Sequence, residues 1–119
     1  MTLYSTIITF GGVSLTIIDS GLIKTALPKL KKVGKKVIEI DIPDRDVEGY
    51  RGTIIGVFYG TNRDTDRTSL EALNDGNKYA LIDGIHNGDY RIVTGTLNWL
   101  DSENTIGVNK FEMEIIQDA

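Results

Sequence analysis

The chain has 119 residues, of which 40% are hydrophobic and 25% are charged, proportions that argue against disorder and predict one domain spanning residues 1–119. It contains no Cys, which excludes disulfides and thiolate metal sites, and its apolar runs are too short for a transmembrane helix. A net charge of −4 argues against nucleic-acid binding by the chain as a whole.

The first predicted element is a β-hairpin. Two β-branched runs, residues 4–10 and 13–18, flank Gly11-Gly12, a pair that tolerates the positive φ angles of a two-residue hairpin loop. Apolar residues fall on both faces of each run. We therefore expect one face of this hairpin to pack on the chain's own core and the other on a neighbour.

A lysine-rich segment follows, with no acid from Ser20 to Ile38. Residues 20–36 carry six of the 13 cations, namely Lys24, Lys29, Lys31, Lys32, Lys35 and Lys36. Pro28 and Gly34 interrupt any regular element, so the segment is predicted to be a long loop or basic arm with room for a short irregular strand. From Glu39 onward, 16 acids stand against 7 cations, a net charge of −9.

This charge asymmetry has three interpretations. The lysines could form a solvated edge that prevents unwanted strand pairing. They could instead contact an acidic surface on another copy or a partner protein. Binding to nucleic acid is the third interpretation, and the lack of aromatic residues among these lysines counts against it.

A charged bend joins the next two predicted strands. Residues 37–42 alternate apolar and acidic side chains, Pro43 stops this strand, and a second strand is predicted over residues 53–59. The bend contains the acids Asp44, Asp46 and Glu48. Three glycines at positions 49, 52 and 56 indicate a bulge or a tight barrel corner.

The second half of the chain predicts one helix and more strands. Thr68 and Glu71 have the spacing of a capping box, and Leu70, Ala72 and Leu73 give a helix of about two to three turns an apolar face. Residues 78–83 and 90–99 are predicted to form a hairpin around residues 85–88, which include Asn87-Gly88, a favoured primed-turn pair. A turn is predicted at residues 101–104, before a final strand in which Phe111, Met113 and Ile115 alternate with charged residues.

The predicted elements add up to a mainly β fold. About seven strands, with one short α-helix between the fourth and fifth, indicate an antiparallel β-barrel or sandwich.

The residues that could carry chemistry are few. His86 is the only histidine, and no Cys or second His could complete a triad or a zinc site, so it is interpreted as an exposed turn residue. Asp41, Asp44, Asp46 and Glu48 have oxygen ligands at alternating positions, but Ile55 stands where a calcium loop needs its closing Glu. No cofactor and no catalytic or metal-ligating residue is predicted, and the chain is not expected to be an enzyme.

An alternative function is a small-ligand or carbohydrate-binding barrel module. Tyr90, Trp99 and Leu97 could line its pocket, with the bend at residues 44–48 at the mouth. Aromatic residues on strands are more often part of the core.

The order of motifs resembles the barrel domain of tail and baseplate proteins of tailed bacteriophages. The closest versions are the distal tail proteins and the N-terminal domain of the DNA circularisation proteins. The resemblance extends from Ile7 to Gln117 and rests on the hairpin at residues 10–13, the bend at 43–50, the strand at 51–60, the helix at 70–73, the run at 88–93 and the strand at 110–115.

This resemblance implies a structural component of a virion tail or a related contractile injection machine. Such a protein would be assembled in the host cytoplasm and would form a homo-oligomeric ring at the junction between tail tube and baseplate or hub. Its partners would be further copies and other tail proteins, with neither a nucleic acid nor a membrane. The residues predicted to form the contacts are Lys24, Lys29, Lys31, Lys32, Lys35 and Lys36 with Asp44, Asp46 and Glu48.

Overall fold

The computed structural model describes residues 6–100 and 107–118, which form ten strands and one helix. The strands are β1 (Thr6–Phe10), β2 (Val13–Ser20), β3 (Ile23–Ala26), β4 (Lys29–Val33), β5 (Lys36–Ile40), β6 (Glu48–Tyr59), β7 (Tyr79–Ile82), β8 (Gly88–Ile92), β9 (Asn98–Trp99) and β10 (Val108–Gln117). Helix α1 (Arg63–Ala72) lies between β6 and β7. The mainly β class with one short helix is confirmed. The described residues form ten strands where about seven were predicted, and the helix follows the sixth strand instead of the fourth. The turn predicted at 101–104 lies outside the described residues.

Six antiparallel strands close into a barrel in the order β6-β2-β1-β7-β8-β10. Closure comes from β10, which pairs with β6 from Val108↔Tyr59 to Ile116↔Arg51. β3 pairs with the first half of β6, and β9 pairs with β10. Since β1 and β10 are three strands apart in either direction, they lie on opposite walls of the barrel.

The β1–β2 hairpin confirms the first predicted element. Gly11 and Gly12 have φ angles of 57° and 81°, and the strands pair directly across this two-residue turn, Phe10 with Val13. The inward residues Ile8 and Phe10 of β1 are buried, and of their partners on β2 Leu15 is fully buried and Val13 partly buried. Tyr4, which the sequence placed on the same strand, lies outside the described residues.

Strand β6 begins at Glu48, five residues earlier than the predicted start at residue 53. The expected bulge is present, but it lies in β2, where the pairing with β6 shifts between Ile17 and Asp19. Gly56 faces this bulge, and a Cβ on Gly56 would lie 2.7 Å from both the Thr16 carbonyl oxygen and the Phe111 ring. Only glycine therefore fits at this position.

The barrel core is built around β10, as its alternating pattern predicts. Phe111, Met113 and Ile115 point inward and are fully buried. The Phe111 ring stacks on Phe58 with centroids 5.3 Å apart, and Trp99 packs against its edge.

Helix α1 closes one end of the barrel. Leu70 and Leu73 are buried as predicted, whereas Ala72 is exposed. The predicted capping box was wrong because the helix starts at Arg63, so the Thr68 hydroxyl donates to the Asp64 carbonyl oxygen inside the helix instead. The helix has ten residues, which agrees with the predicted two to three turns.

The lysine-rich segment was wrongly predicted to be a loop. It contains β3 and the whole of β4, and β4 pairs with β5 in a hairpin from Lys29↔Ile40 to Val33↔Lys36. This hairpin, residues 29–40, is called the lysine hairpin below. Gly34 has a φ of 63° and forms its turn. The two strands form a separate sheet that lies outside the barrel.

Candidate functional site

An apolar cleft opens at the end of the barrel opposite α1. The buried residues Ile8, Ile17 and Ile54 line it. Its rim contains Thr6, Ile18, Asp19, Ser20, Leu22, Asp83, Ile85 and His86. The cleft has a volume of about 210 Å³, which is below the roughly 300–1,000 Å³ typical of small-molecule sites.

The loop between β7 and β8, residues 83–87, forms one side of this cleft. Asp83 accepts hydrogen bonds from the backbone N–H groups of Ile85 and His86, and Asn87 Oδ1 accepts from the N–H groups of Asp83 and Gly84. The predicted hairpin is present, since β7 and β8 pair as antiparallel strands, but its connection is not a tight Asn-Gly turn. Side-chain acceptors at both ends of a five-residue loop hold it instead.

His86 is half-buried in this loop, so its interpretation as an exposed turn residue was also wrong. Its Nδ1 lies 2.6 Å from Asp83 Oδ2, and the Tyr50 ring packs edge-on at 4.5 Å between centroids. The Tyr90 hydroxyl donates to the His86 carbonyl oxygen over 2.7 Å. These contacts fix the position and orientation of the imidazole.

The protonation states follow from the same contacts. Burial alone would raise the pKa of Asp83, but hydrogen bonds from the His86 and Ile85 N–H groups and from the His86 side chain outweigh burial and lower it. An ionised Asp83 can only accept, so Nδ1 of His86 carries the proton that it donates. Burial, then the negative charge of Asp83, raises the pKa of Tyr90 to about 12, which keeps its hydroxyl a donor.

An imidazole oriented by a carboxylate supplies two of the three members of a nucleophilic triad, and a nucleophile would be the third. Ser20 and Thr6 line the same cleft, but within residues 6–100 and 107–118 Asp83 is the one hydrogen-bond partner of the His86 ring. Over the same residues, no group of three His, Cys, Asp or Glu side chains is placed to hold a metal ion. What the Asp83–His86 pair does in this geometry is stabilise the loop that carries Ile85.

The predicted contact lysines are distributed over two elements. Lys29, Lys31, Lys32 and Lys36 lie on the strands of the lysine hairpin and Lys35 in its turn, and all five are exposed. Lys24 lies on β3, where its Nζ is 3.8 Å from the Glu48 carboxylate. This pair is largely exposed and contributes little stability.

The predicted acidic bend packs at the base of the lysine hairpin. Asp44 has a φ of 62° and follows Pro43 in a turn closed by the Arg45 N–H, which donates to the Ile42 carbonyl oxygen. Val47 reaches back to the segment before β4, since its carbonyl oxygen accepts from the Leu27 N–H over 2.8 Å. The exposed acids Asp44, Asp46 and Glu48 therefore lie beside their own hairpin.

The lysine hairpin is docked on the outer face of the barrel. Leu30 and Leu27 are buried against Ile116, which points outward from β10 and is fully covered. The Val37 N–H donates to the Thr94 hydroxyl over 2.7 Å. A polar clamp completes the contact.

Arg51 forms that clamp between hairpin and barrel. It lies 2.7 Å from Glu39 of the hairpin and 3.2 Å from Glu114 of β10. The hydrogen bond to Glu39 outweighs desolvation and raises the pKa of Arg51.

The aromatic residues considered for a ligand pocket lie elsewhere. Tyr90 is fully buried, and Trp99 packs between the core and the Arg67 guanidinium, 4.4 Å from its ring centroid. Residues 90–99 are not one strand, because a turn at Gly95 separates β8 from β9. Neither aromatic ring lines the cleft.

One surface was not singled out from the sequence. The outward residues of β1, β2 and β7 form what we call the isoleucine wall: Ile7, Thr9, Ser14, Thr16, Ala80 and Ile82. Ile7 is 69% exposed and Ile82 57%. Their apolar character was visible in the sequence, but the face of β7 that points outward was not.

Comparison of the chain with protein-family models, curated proteins and solved structures gives no match. The described helix is neither long nor apolar enough to span a membrane.

Proposed function

We propose that this chain is a non-enzymatic structural subunit of a phage tail or a related contractile injection machine. It forms a ring with copies of itself at the junction of tail tube and baseplate or hub, and it contacts other tail proteins there. Its location is the virion tail, after assembly in the host cytoplasm. The order of motifs from Ile7 to Gln117 supports the family, and the barrel fold is consistent with it.

The observation that carries the assembly part of this proposal is the isoleucine wall. Outward positions of an antiparallel sheet that face water are normally polar. Here Ile7 and Ile82 are the most exposed large hydrophobic residues on three strands that contain a single charge, Asp19. Exposed apolar surface of this kind is typical of a protein–protein contact.

The closed barrel limits how such contacts can form. Because the six barrel strands have both edges paired, another chain cannot join them by strand addition at those edges. Neighbours that contact these six strands must therefore pack face to face against the walls. Contacts between unlike faces, repeated from copy to copy, close into a ring when the rotation permits.

The lysines at 24, 29, 31, 32, 35 and 36 and the acids at 44, 46 and 48 remain proposed contact residues. They are exposed. Five of the lysines form a basic patch on the lysine hairpin, and the acids form an acidic patch at the bend beside it, where Glu48 pairs with Lys24. Such patches steer encounter and set the register of neighbours more than they add affinity.

Light scattering after size-exclusion chromatography tests this function, together with negative-stain images of the same fractions. The expected result is a concentration-dependent mass that is a multiple of 13.1 kDa, with ring-shaped particles. A single-chain mass at every soluble concentration, with no tail protein retained in pull-downs from its source, would contradict the proposal.

A small-ligand-binding module is the second candidate, and the cleft at the open end favours it. The isoleucines that line the cleft indicate a small apolar ligand rather than a carbohydrate. Thermal-shift screening with small apolar compounds and with glycans tests it, since a true ligand raises the midpoint as its concentration rises. An Ile54→Phe variant, which fills the cleft, is expected to abolish that rise.

A further inference from the structure

The lysine hairpin has two different faces. Leu30, Lys32, Val37 and Glu39 point toward the barrel. Leu30 and Val37 are packed there, Lys32 lies beside Gly76, and Glu39 binds Arg51. The alternate positions point away from it: Lys29, Lys31, Val33, Lys36, Ile38 and Ile40. Val33 and Ile38 are 48% and 45% exposed, so this outward face mixes lysines with exposed aliphatic side chains.

The isoleucine wall is itself uncharged, but the segments that contain it have a charge opposite to that of the lysine hairpin. Residues 6–23 and 79–90, which include the wall and its surroundings, contain Asp19, Asp83 and Asp89 but no Lys or Arg. Residues 29–40 contain five lysines and one carboxylate, Glu39, a net charge of +4. Two lysine hairpins would repel each other, whereas a lysine hairpin and an isoleucine wall attract and both offer apolar contacts.

The two faces also point in opposite directions. The hairpin covers Ile116 on β10, and the isoleucine wall is centred on β1, three strands away around the six-stranded barrel. One copy can therefore use both faces at once, each with a different neighbour. That arrangement is head-to-tail and can be repeated by every copy.

We propose that the outward face of the lysine hairpin of one copy packs on the isoleucine wall of the next. This inference rests on the proposed function and names the two surfaces that meet in the assembly. It assigns the partner of the outward lysines, Lys29, Lys31 and Lys36, to Ile7, Ile82 and the acids near them on the next copy. The acids at 44–48 are less suited, because they lie beside the hairpin of their own chain and one of them, Glu48, already pairs with Lys24.

A mixing experiment tests the pairing of unlike faces. The wall variant is Ile7→Lys/Ile82→Lys, and the hairpin variant is Lys31→Glu/Ile38→Thr, which alters two cross-strand partners on the outward face. All four positions are exposed, so both variants are expected to keep the fold and its unfolding midpoint. Thr65→Lys on the exposed side of α1, away from both faces, is the matched control.

Each variant alone is expected to run as a single chain, since each has lost one of the two faces. Mixed in equal amounts, the intact hairpin of one binds the intact wall of the other, and the mass doubles from 13.1 kDa without forming larger species. Thr65→Lys assembles like the wild type.

Two results would overturn the pairing while leaving the assembly proposal in place. One is a hairpin variant that still assembles on its own as the wild type does. The other is a mixture that stays at the single-chain mass although both variants are folded and the wild type assembles. A wild type that never assembles contradicts the proposed function itself, and the inference falls with it.

Discussion

Two outward isoleucines on opposite walls of the barrel have opposite surroundings. Ile116 on β10 is fully buried because the lysine hairpin lies over it, whereas Ile82 on β7 is 57% exposed. Both occupy the same kind of position, on the outer face of a strand in a closed barrel. The chain therefore covers one apolar wall with its own residues and leaves the other uncovered.

The polar residues show the same contrast. On the covered wall, Arg51 joins Glu39 to Glu114, and Arg91 binds Asp118 over 2.9 Å. The isoleucine wall has no ion pair of this kind among its described residues. A wall without charged residues does not anchor a segment of its own chain and does not repel another copy. Depletion of charged residues is typical of the centre of a protein–protein contact.

The largest expected effect comes from truncating the two isoleucines. Ile116→Ala should lower the free energy of unfolding by about 2–4 kcal/mol, because it leaves a cavity under the hairpin. Ile82→Ala should change it by no more than about 0.5 kcal/mol in the single chain. Urea denaturation at low protein concentration measures both. Equal losses would show that the two walls do not differ as described.

The next largest change in the free energy of unfolding is expected in the loop at residues 83–87, which follows β7 on the uncovered side. Asp83→Ala removes the acceptor of two backbone N–H groups and of the His86 ring, at a cost of about 1–2 kcal/mol. Asp89→Ala on the exposed side of β8 is the matched control and should be nearly neutral. Urea denaturation measures the difference between the two variants. No difference between them would show that the loop is not held by Asp83.

The contribution of Asp83 should depend on pH in a defined direction. Its pKa is lower in the folded protein than in the unfolded chain, where it is about 4. The stabilisation is therefore complete above about pH 4 and is lost as the pH falls through the folded value. Denaturation of wild type and Asp83→Asn at neutral and acidic pH should give a smaller difference at acidic pH. A difference that grows on acidification would be the wrong sign.

The Arg51 clamp gives the smallest expected effect. Arg51→Met should cost about 1 kcal/mol, since the arginine is partly exposed and screened. Lys24→Met, which removes a more exposed pair, should cost less than about 0.5 kcal/mol. Hydrogen exchange should show reduced protection of β4 and β5 in the first variant alone. Unchanged protection there would mean that Leu30 and Ile116 hold the hairpin without the clamp.

Much of the barrel could be predicted because its signals are local. The Gly11-Gly12 turn and the alternation of Phe111, Met113 and Ile115 each determine an element without distant residues. Helix length and the burial of Leu70 and Leu73 were also predictable.

The lysine hairpin could not be predicted from its own residues. Lysines, Pro28 and Gly34 favour a loop, and the strands are stabilised by contacts far along the chain, with Ile116 and Arg51. The conformation of the loop at residues 83–87 could not be predicted for a different reason. Asn87-Gly88 favours a tight turn, but the acceptors of Asp83 and Asn87 satisfy more N–H groups in a longer one.

The isoleucine wall could be predicted only in part. Apolar residues on both faces of the first hairpin led to the expectation of a second, external contact, and Ile7 is indeed exposed. Strand β7 is apolar throughout, so its outward residue could not be chosen before the closed barrel showed that Leu81 points inward and Ile82 outward.

Directed disulfide formation tests most directly whether the outward face of the lysine hairpin and the isoleucine wall are partners, and the absence of Cys makes the background clean. Ile82→Cys and Ile38→Cys are prepared as single variants, mixed and mildly oxidised. The expected main product is a crosslinked dimer that links residue 82 of one copy to residue 38 of the other, in a yield well above that of either homodimer. Linkage mainly between two copies of residue 82, or no linkage above that of an exposed Thr65→Cys control, would contradict it.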